Sequence, residues 1–124
     1  KYDPRLSETM GEAYYHLGKF DLALKNLQKY IENVGEYGDR VSTAYFYMGE
    51  TYLRLKRYSH ADISYSLAVH REPSMARWWY RYGQSVEYQN DWKRAADLYS
   101  RALKLSPEMK EASTALTRVK THIN

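Results

Sequence analysis

Arg77 and Arg81 stand one helical turn apart, at i and i+4, so two guanidinium groups can reach one anionic ligand together. Glu8 and Glu12 have the same spacing. Two carboxylates on one helix face could serve as an acid–base pair, but a solvated acidic face is the plainer reading and the better one. The histidines His16, His60, His70 and His122 lie on separate stretches without an i, i+4 pair, and the chain has no cysteine. Imidazole or thiolate binding of a metal is therefore not expected. Each glycine is isolated, apart from Gly35 and Gly38 in one turn, so no phosphate-cradling loop is present. Nothing in the order of Ser, His and Asp marks a triad. The expectation is a chain that is not an enzyme and uses no cofactor.

The composition narrows the classes further. The 124 residues amount to one domain. Hydrophobic residues make up 44% of the chain although the mean hydropathy is −0.78, which suits a thin core. Tyr outnumbers Phe by 14 to 2, and Tyr is the aromatic that tolerates a core lying close to solvent. No run of 18 apolar residues occurs, so membrane insertion is not expected. The net charge of +4 permits acidic partners and is too small to demand nucleic acid. The absence of Cys excludes disulfides without naming a compartment. A soluble chain of the cytoplasm or periplasm is expected. The start at Lys1, without a signal-peptide pattern, reads as a processed chain or a piece of a larger protein.

The elements that must position these residues are helical. Trp79, Tyr82, Gly83 and Val86 sit at i, i+3, i+4 and i+7, one face of a helix. Ala95, Tyr99, Ala102 and Leu103 form one face of a second. Between them, Asn90 suits the left-handed residue that ends a helix and Asp91 the N-cap of the next. The frame recurs 34 residues earlier as Tyr45, Met48, Gly49, Tyr52, Ala61, Tyr65 and Pro73. It recurs again, 38 residues before that at the glycine, as Met10, Gly11, Tyr14, Ala23 and Leu27. The four extra residues fit the loop Gly35-Glu36-Tyr37-Gly38-Asp39. Each glycine lets two helices approach closely, and the Ala of the second helix does the same from the other side, so Gly83→Leu or Ala95→Leu is expected to overpack the contact. Helices are expected from Pro4 to Leu17 with Asp3 as cap, from Phe20 to Val34, and from an Asp39 cap to Leu55. Others should run from Tyr58 to Arg71, through a hairpin from Met75 to Leu105, and from a Ser106-Pro107 start to His122.

The face of each first helix opposite its core stripe can be read at about 100° per residue. In the third hairpin it carries Arg77, Arg81, Gln84 and Tyr88, flanked by Tyr80 and Glu87. In the second it carries Thr43, Tyr47, Glu50 and Arg54, flanked by Phe46 and Leu53. In the first it carries Arg5, Thr9, Glu12 and His16, flanked by Glu8 and Tyr15. Exposed aromatics beside Arg compose a recognition surface. For Phe46 and Tyr80, packing against a neighbouring hairpin is an equal alternative. Trp78 is expected to be buried and structural, filling space beside the small residues Ala61, Ser64, Ser66 and Ala68.

The Trp/Tyr, Gly, Tyr, Ala and Pro positions at these offsets resemble the tetratricopeptide repeat. The resemblance implies an all-α, right-handed superhelix of three hairpins, about residues 4–37, 42–75 and 76–109, plus a helix at about 107–122. That last helix is either a cap or the start of a truncated fourth repeat. It also implies that the first helices line a concave groove that binds a protein or peptide. The expected groove residues are Arg77, Arg81, Tyr47, Tyr88, Tyr80, Phe46, Glu50, Arg54, Gln84 and Tyr15. The expected partner segment carries an acidic group for the two Arg and an apolar side chain for the Tyr residues. Reversing both charges to Glu is expected to weaken binding without lowering the melting temperature. One group in this family clamps the acidic tails of large chaperones with Lys and Asn on the first helix, Asn on the third, and Lys and Arg on the fifth. Here Glu8, Glu12 and Tyr47 stand in those places and only Arg77 and Arg81 fit, so a chaperone-tail adaptor is not expected. The alternative is a structural module that forms homo-oligomers, with Ile63 and Leu67 as apolar contacts. RNA binding is a weaker third reading, opposed by Glu8, Glu12, Glu50 and Glu87.

Overall fold

Residues 3–123 are described by a computed structural model. Among them are seven α-helices and no strand: α1 (Pro4–His16), α2 (Phe20–Val34), α3 (Val41–Arg54), α4 (Tyr58–Arg71), α5 (Ala76–Glu87), α6 (Trp92–Leu105) and α7 (Lys110–Lys120). Consecutive helices pair as antiparallel hairpins. The first helix of each hairpin also packs on the last helix of the hairpin before it, which makes a helical solenoid. No helix among the described residues is long and apolar enough to cross a membrane.

Close approach inside each hairpin rests on one glycine. A Cβ at Gly11 would lie 2.6 Å from Leu27, one at Gly49 2.7 Å from Tyr65, and one at Gly83 2.6 Å from Tyr99. Those distances are shorter than any side chain tolerates, so the large residue of the second helix occupies the volume a side chain would need. The turns repeat as well. Gly18, Lys56 and Asn90, equivalent positions in the three hairpins, all have a left-handed backbone with φ of 76°, 61° and 62°. Asp3 and Asp91 accept hydrogen bonds from the amides of Arg5 and Arg94 and cap α1 and α6 as expected.

Two expected helix starts differ. Asp39 does not cap α3; Arg40 holds that position, and its amide donates to the Tyr30 hydroxyl at 2.9 Å. Residues Gly35–Tyr37 form a 3-10 turn that absorbs part of the insertion and displaces Asp39 by one residue from the helix mouth. Ser106-Pro107 does not open α7 either. Pro107 and Glu108 lie in a turn, and Met109 is the residue from which the helix begins. The helix then buries Ala112, Ala115 and Val119 beside α6.

Candidate functional site

The helices α1, α3 and α5 lie in a row, with α7 continuing it. Their shared face carries two chemical features, a run of aromatic rings and a series of ion pairs.

The rings cross from the first hairpin to the third. Tyr15 meets Tyr47 edge-on at 5.6 Å between centroids, and His16 does the same at 5.8 Å. Tyr47 meets Phe46 edge-on at 5.5 Å, and Phe46 stacks on Trp78 of α5 at 4.8 Å with an 11° tilt. Edge-to-face and stacked contacts of this kind add to the gain from burial. The rings line a groove of ≈ 410 Å³ together with Glu50, Arg54, Met75 and Arg77. Trp78 is buried, as expected, but the ring that holds it is Phe46 on α3. Phe46 therefore does both things foreseen for it: it packs on the next hairpin and faces the groove. Tyr80 instead packs on Tyr99 within its own hairpin and lies under the Arg77 guanidinium.

The ion pairs tie each first helix to the next. Arg40 donates from Nε to Glu8 at 2.5 Å and from Nη2 to Glu12 at 2.7 Å. Arg81 donates from Nε to Glu50 at 2.7 Å. Arg118 of α7 donates to both oxygens of Glu87, at 2.6 and 2.7 Å. The acidic face expected at Glu8 is thus not solvated: Glu8 is 2% exposed and held by Arg40. A carboxylate can be buried there because a guanidinium reaches it from the inserted stretch before α3.

Glu50 is the centre of the inner face. It also accepts hydrogen bonds from the hydroxyls of Tyr65 and Tyr15. Burial, reinforced by the Glu50 charge, pushes the Tyr15 and Tyr65 hydroxyls above the ordinary tyrosine value, so both stay protonated donors. Burial disfavours the charge on Arg81, but its hydrogen bond to Glu50 and the attraction of that carboxylate outweigh this and raise its pKa. Arg81 also donates to Gln84, which in turn donates to the Tyr80 hydroxyl.

Arg77 and Arg81 consequently do not present a joint pair. Arg81 is drawn toward α3 by Glu50, and Arg77 toward α7 by Glu111 at 3.3 Å. Tyr88 is also set apart from Tyr47. It stacks on Tyr58 at 4.5 Å and lines a second depression of ≈ 380 Å³ with Gln84, Glu87, Trp92 and Arg118. Arg54 lies over the Phe20 ring at 5.3 Å at the groove edge. Sequence reasoning missed Met75 and Trp78 as groove residues, and Trp92 and Arg118 as lining of the second depression. Met75 precedes its helix and Trp78 reads as core. Trp92 and Arg118 come from α6 and α7, whose positions follow from the superhelix and not from the periodicity of one helix. Among the described residues no three His, Asp or Glu side chains are placed to hold a metal ion.

Comparisons with known proteins agree with this architecture. Tetratricopeptide repeat profiles match residues 9–65 and 76–109. No curated protein sequence matches the chain. Among solved structures, the OM64 tetratricopeptide domain of Arabidopsis superposes with a TM-score of 0.86 at 23% identity, covering 97% of this chain and 96% of that one. The first tetratricopeptide domain of Spaghetti (RPAP3), bound to the HSP90 peptide SRMEEVD, gives 0.87 at 23% identity, covering 97% and 92%. The second such domain of human RPAP3, in complex with the HSP70 peptide SGPTIEEVD, gives 0.83 at 20% identity, covering 95% and 98%.

Proposed function

The chain belongs to the tetratricopeptide repeat family, and on that footing we propose that it is a non-catalytic protein-binding module. It holds a partner segment along the face shared by α1, α3 and α5. The observation that carries this reading is the unbroken aromatic run from Tyr15 to Trp78 lining an open groove. Aromatic anchors of this kind supply most of the binding energy at interfaces.

The groove chemistry favours an apolar or aromatic anchor over an anionic tail. Two structural neighbours are bound to chaperone peptides that end in Glu-Glu-Val-Asp. Here Arg40 and Arg81 are neutralised by Glu8, Glu12 and Glu50. Arg54 and Arg77, the latter in an exposed ion pair with Glu111, lie at the rim, and an acidic residue of the partner meets them there. The partner segment therefore places an apolar side chain against Phe46, Tyr47 and Trp78 and an acidic one beside Arg77.

Affinity capture with the domain, repeated with Arg77→Glu and Tyr47→Ala, tests this. Partners lost from both variants support the reading; partners retained by both refute it. Titration with SRMEEVD as a probe should give no saturable binding, and tight binding would restore the anionic-tail reading.

A further inference from the structure

We propose that the depression at the C-terminal end of α5 is a second anchor pocket. It takes an aromatic side chain of the partner segment, about four residues from the apolar one held by Phe46, Tyr47 and Trp78. This rests on the groove reading above and extends it. The depression lies between α5 and α7, so helices of this chain form both of its walls. Its lining selects a flat, uncharged group. The charges in it cancel, because Arg118 gives its Nε and Nη2 hydrogens to Glu87. Those bonds lie in the guanidinium plane, and Arg118 is half exposed, so a face of the group is free to meet a ring. Tyr88 lays one face on Tyr58, at 4.5 Å with a 7° tilt, and is still 59% exposed, which leaves its other face open. Trp92 is braced in the same way by His122, at 3.9 Å. A ring that enters can stack on Tyr88 and lie against Arg118, whereas an aliphatic side chain gains neither contact. The Asn90 carboxamide, also in the lining, suits the hydroxyl of a tyrosine.

The spacing follows from α5, which lines both sites. Its N-terminal turn gives Arg77 and Trp78 to the aromatic groove, and its last turns give Gln84, Glu87 and Tyr88 to the depression. Arg77, Arg81, Gln84 and Tyr88 form one stripe of the helix that joins them. Between the two sites the floor is polar: Arg81 donates to Gln84, and Gln84 to the Tyr80 hydroxyl. Such a floor suits the partner's backbone and not a third apolar anchor. From Trp78 to Tyr88 the helix rises about 15 Å, at ~1.5 Å per residue. An extended segment covers that distance in about four to five residues, at ~3.3 Å each. Its side chains alternate between two faces, so only an even spacing turns both anchors toward the inner face. Anchors at i and i+4 meet both conditions.

Selection of a displayed library of random peptides, about twelve residues long, on the wild-type chain tests the pocket. Enriched peptides should carry an apolar residue and an aromatic one four positions apart. In titrations with such a peptide, Tyr88→Ala should weaken binding about tenfold or more. Replacing the peptide's aromatic residue by alanine should do the same, and this arm leaves the protein's own Tyr58–Tyr88 stack untouched. The two changes together should cost little more than either alone, as for groups in direct contact. Peptides weakened by Tyr47→Ala but indifferent to Tyr88→Ala would overturn the second pocket and leave the groove reading standing. Enriched peptides without a fixed spacing would overturn it as well. Peptides indifferent to both variants, or a selection that enriches nothing, would overturn the groove reading and the pocket with it.

Discussion

Arg81 of α5 donates from Nε to Glu50 of α3 at 2.7 Å, and both side chains are largely withdrawn from solvent. The pair joins the third hairpin to the second in the middle of the inner face. Glu50 in turn fixes the hydroxyl of Tyr65, the residue that occupies the space left by Gly49. A charge that looks available for a ligand on a helical wheel is therefore part of the framework.

Removing one partner should leave the other charge poorly solvated and unpaired. Arg81→Met is expected to lower stability by about 2–4 kcal/mol, read from urea denaturation. Arg81→Glu should cost more, because it sets a second carboxylate against Glu50. This reverses the expectation that Arg81 could be changed in charge at no cost in melting temperature. An Arg81→Met variant as stable as wild type would mean that the pair is only an exposed surface contact.

The hairpin glycines give a sharper test of packing. The atom that Gly83→Ala adds has nowhere to go but into the Tyr99 ring, which is itself fixed by its hydroxyl donating to Glu87 at 2.6 Å. A cost of about 1–3 kcal/mol is expected. Unchanged thermal melting would show that α5 and α6 can separate freely.

A gain is expected at Lys56. Its left-handed backbone strains a residue with a Cβ, whereas the equivalent Gly18 has none. Lys56→Gly should stabilise by about 0.5–1 kcal/mol after allowing for the greater freedom of glycine in the unfolded chain. A destabilised variant would show that the Lys56 side chain contributes more than its backbone costs.

Much of this architecture was legible in the residues. Gly11, Gly49 and Gly83 mark the close approaches, and the limits of α2 and α4 follow from their punctuation. Phe46, Tyr47 and Tyr15 stand in the groove because one helix's periodicity suffices to place them. The ion pairs were not legible. Arg40 to Glu8, Arg81 to Glu50 and Arg118 to Glu87 each span about thirty residues of chain and depend on the stagger between hairpins. A helical wheel gives direction but not what waits there, so Glu8 was assigned to solvent, Arg81 to a ligand and the start of α3 to Asp39.

Acid should weaken the C-terminal end of the solenoid. Burial opposes the charge on Glu87, but hydrogen bonds from Arg118 and Tyr99 prevail and hold its carboxyl below the ordinary glutamate value. A lowered folded-state pKa contributes stability that is full above the unfolded value, near pH 4.5, and is lost as pH falls through the folded one. Arg118→Met should lower stability at neutral pH and flatten the decline as pH falls below about 4.5. An acid limb identical to wild type would show that Glu87 and Arg118 do not interact in solution.

Titration calorimetry of a captured partner segment against Tyr47→Ala and Arg77→Glu tests the groove most directly. Truncating an interface anchor costs roughly 2 kcal/mol, so Tyr47→Ala should weaken binding by at least about tenfold. Arg77→Glu should add a loss that shrinks at high salt, because its guanidinium is exposed. Binding of both variants within about a factor of two of wild type, where measured folding is unchanged, would contradict the account and move the site off the inner face.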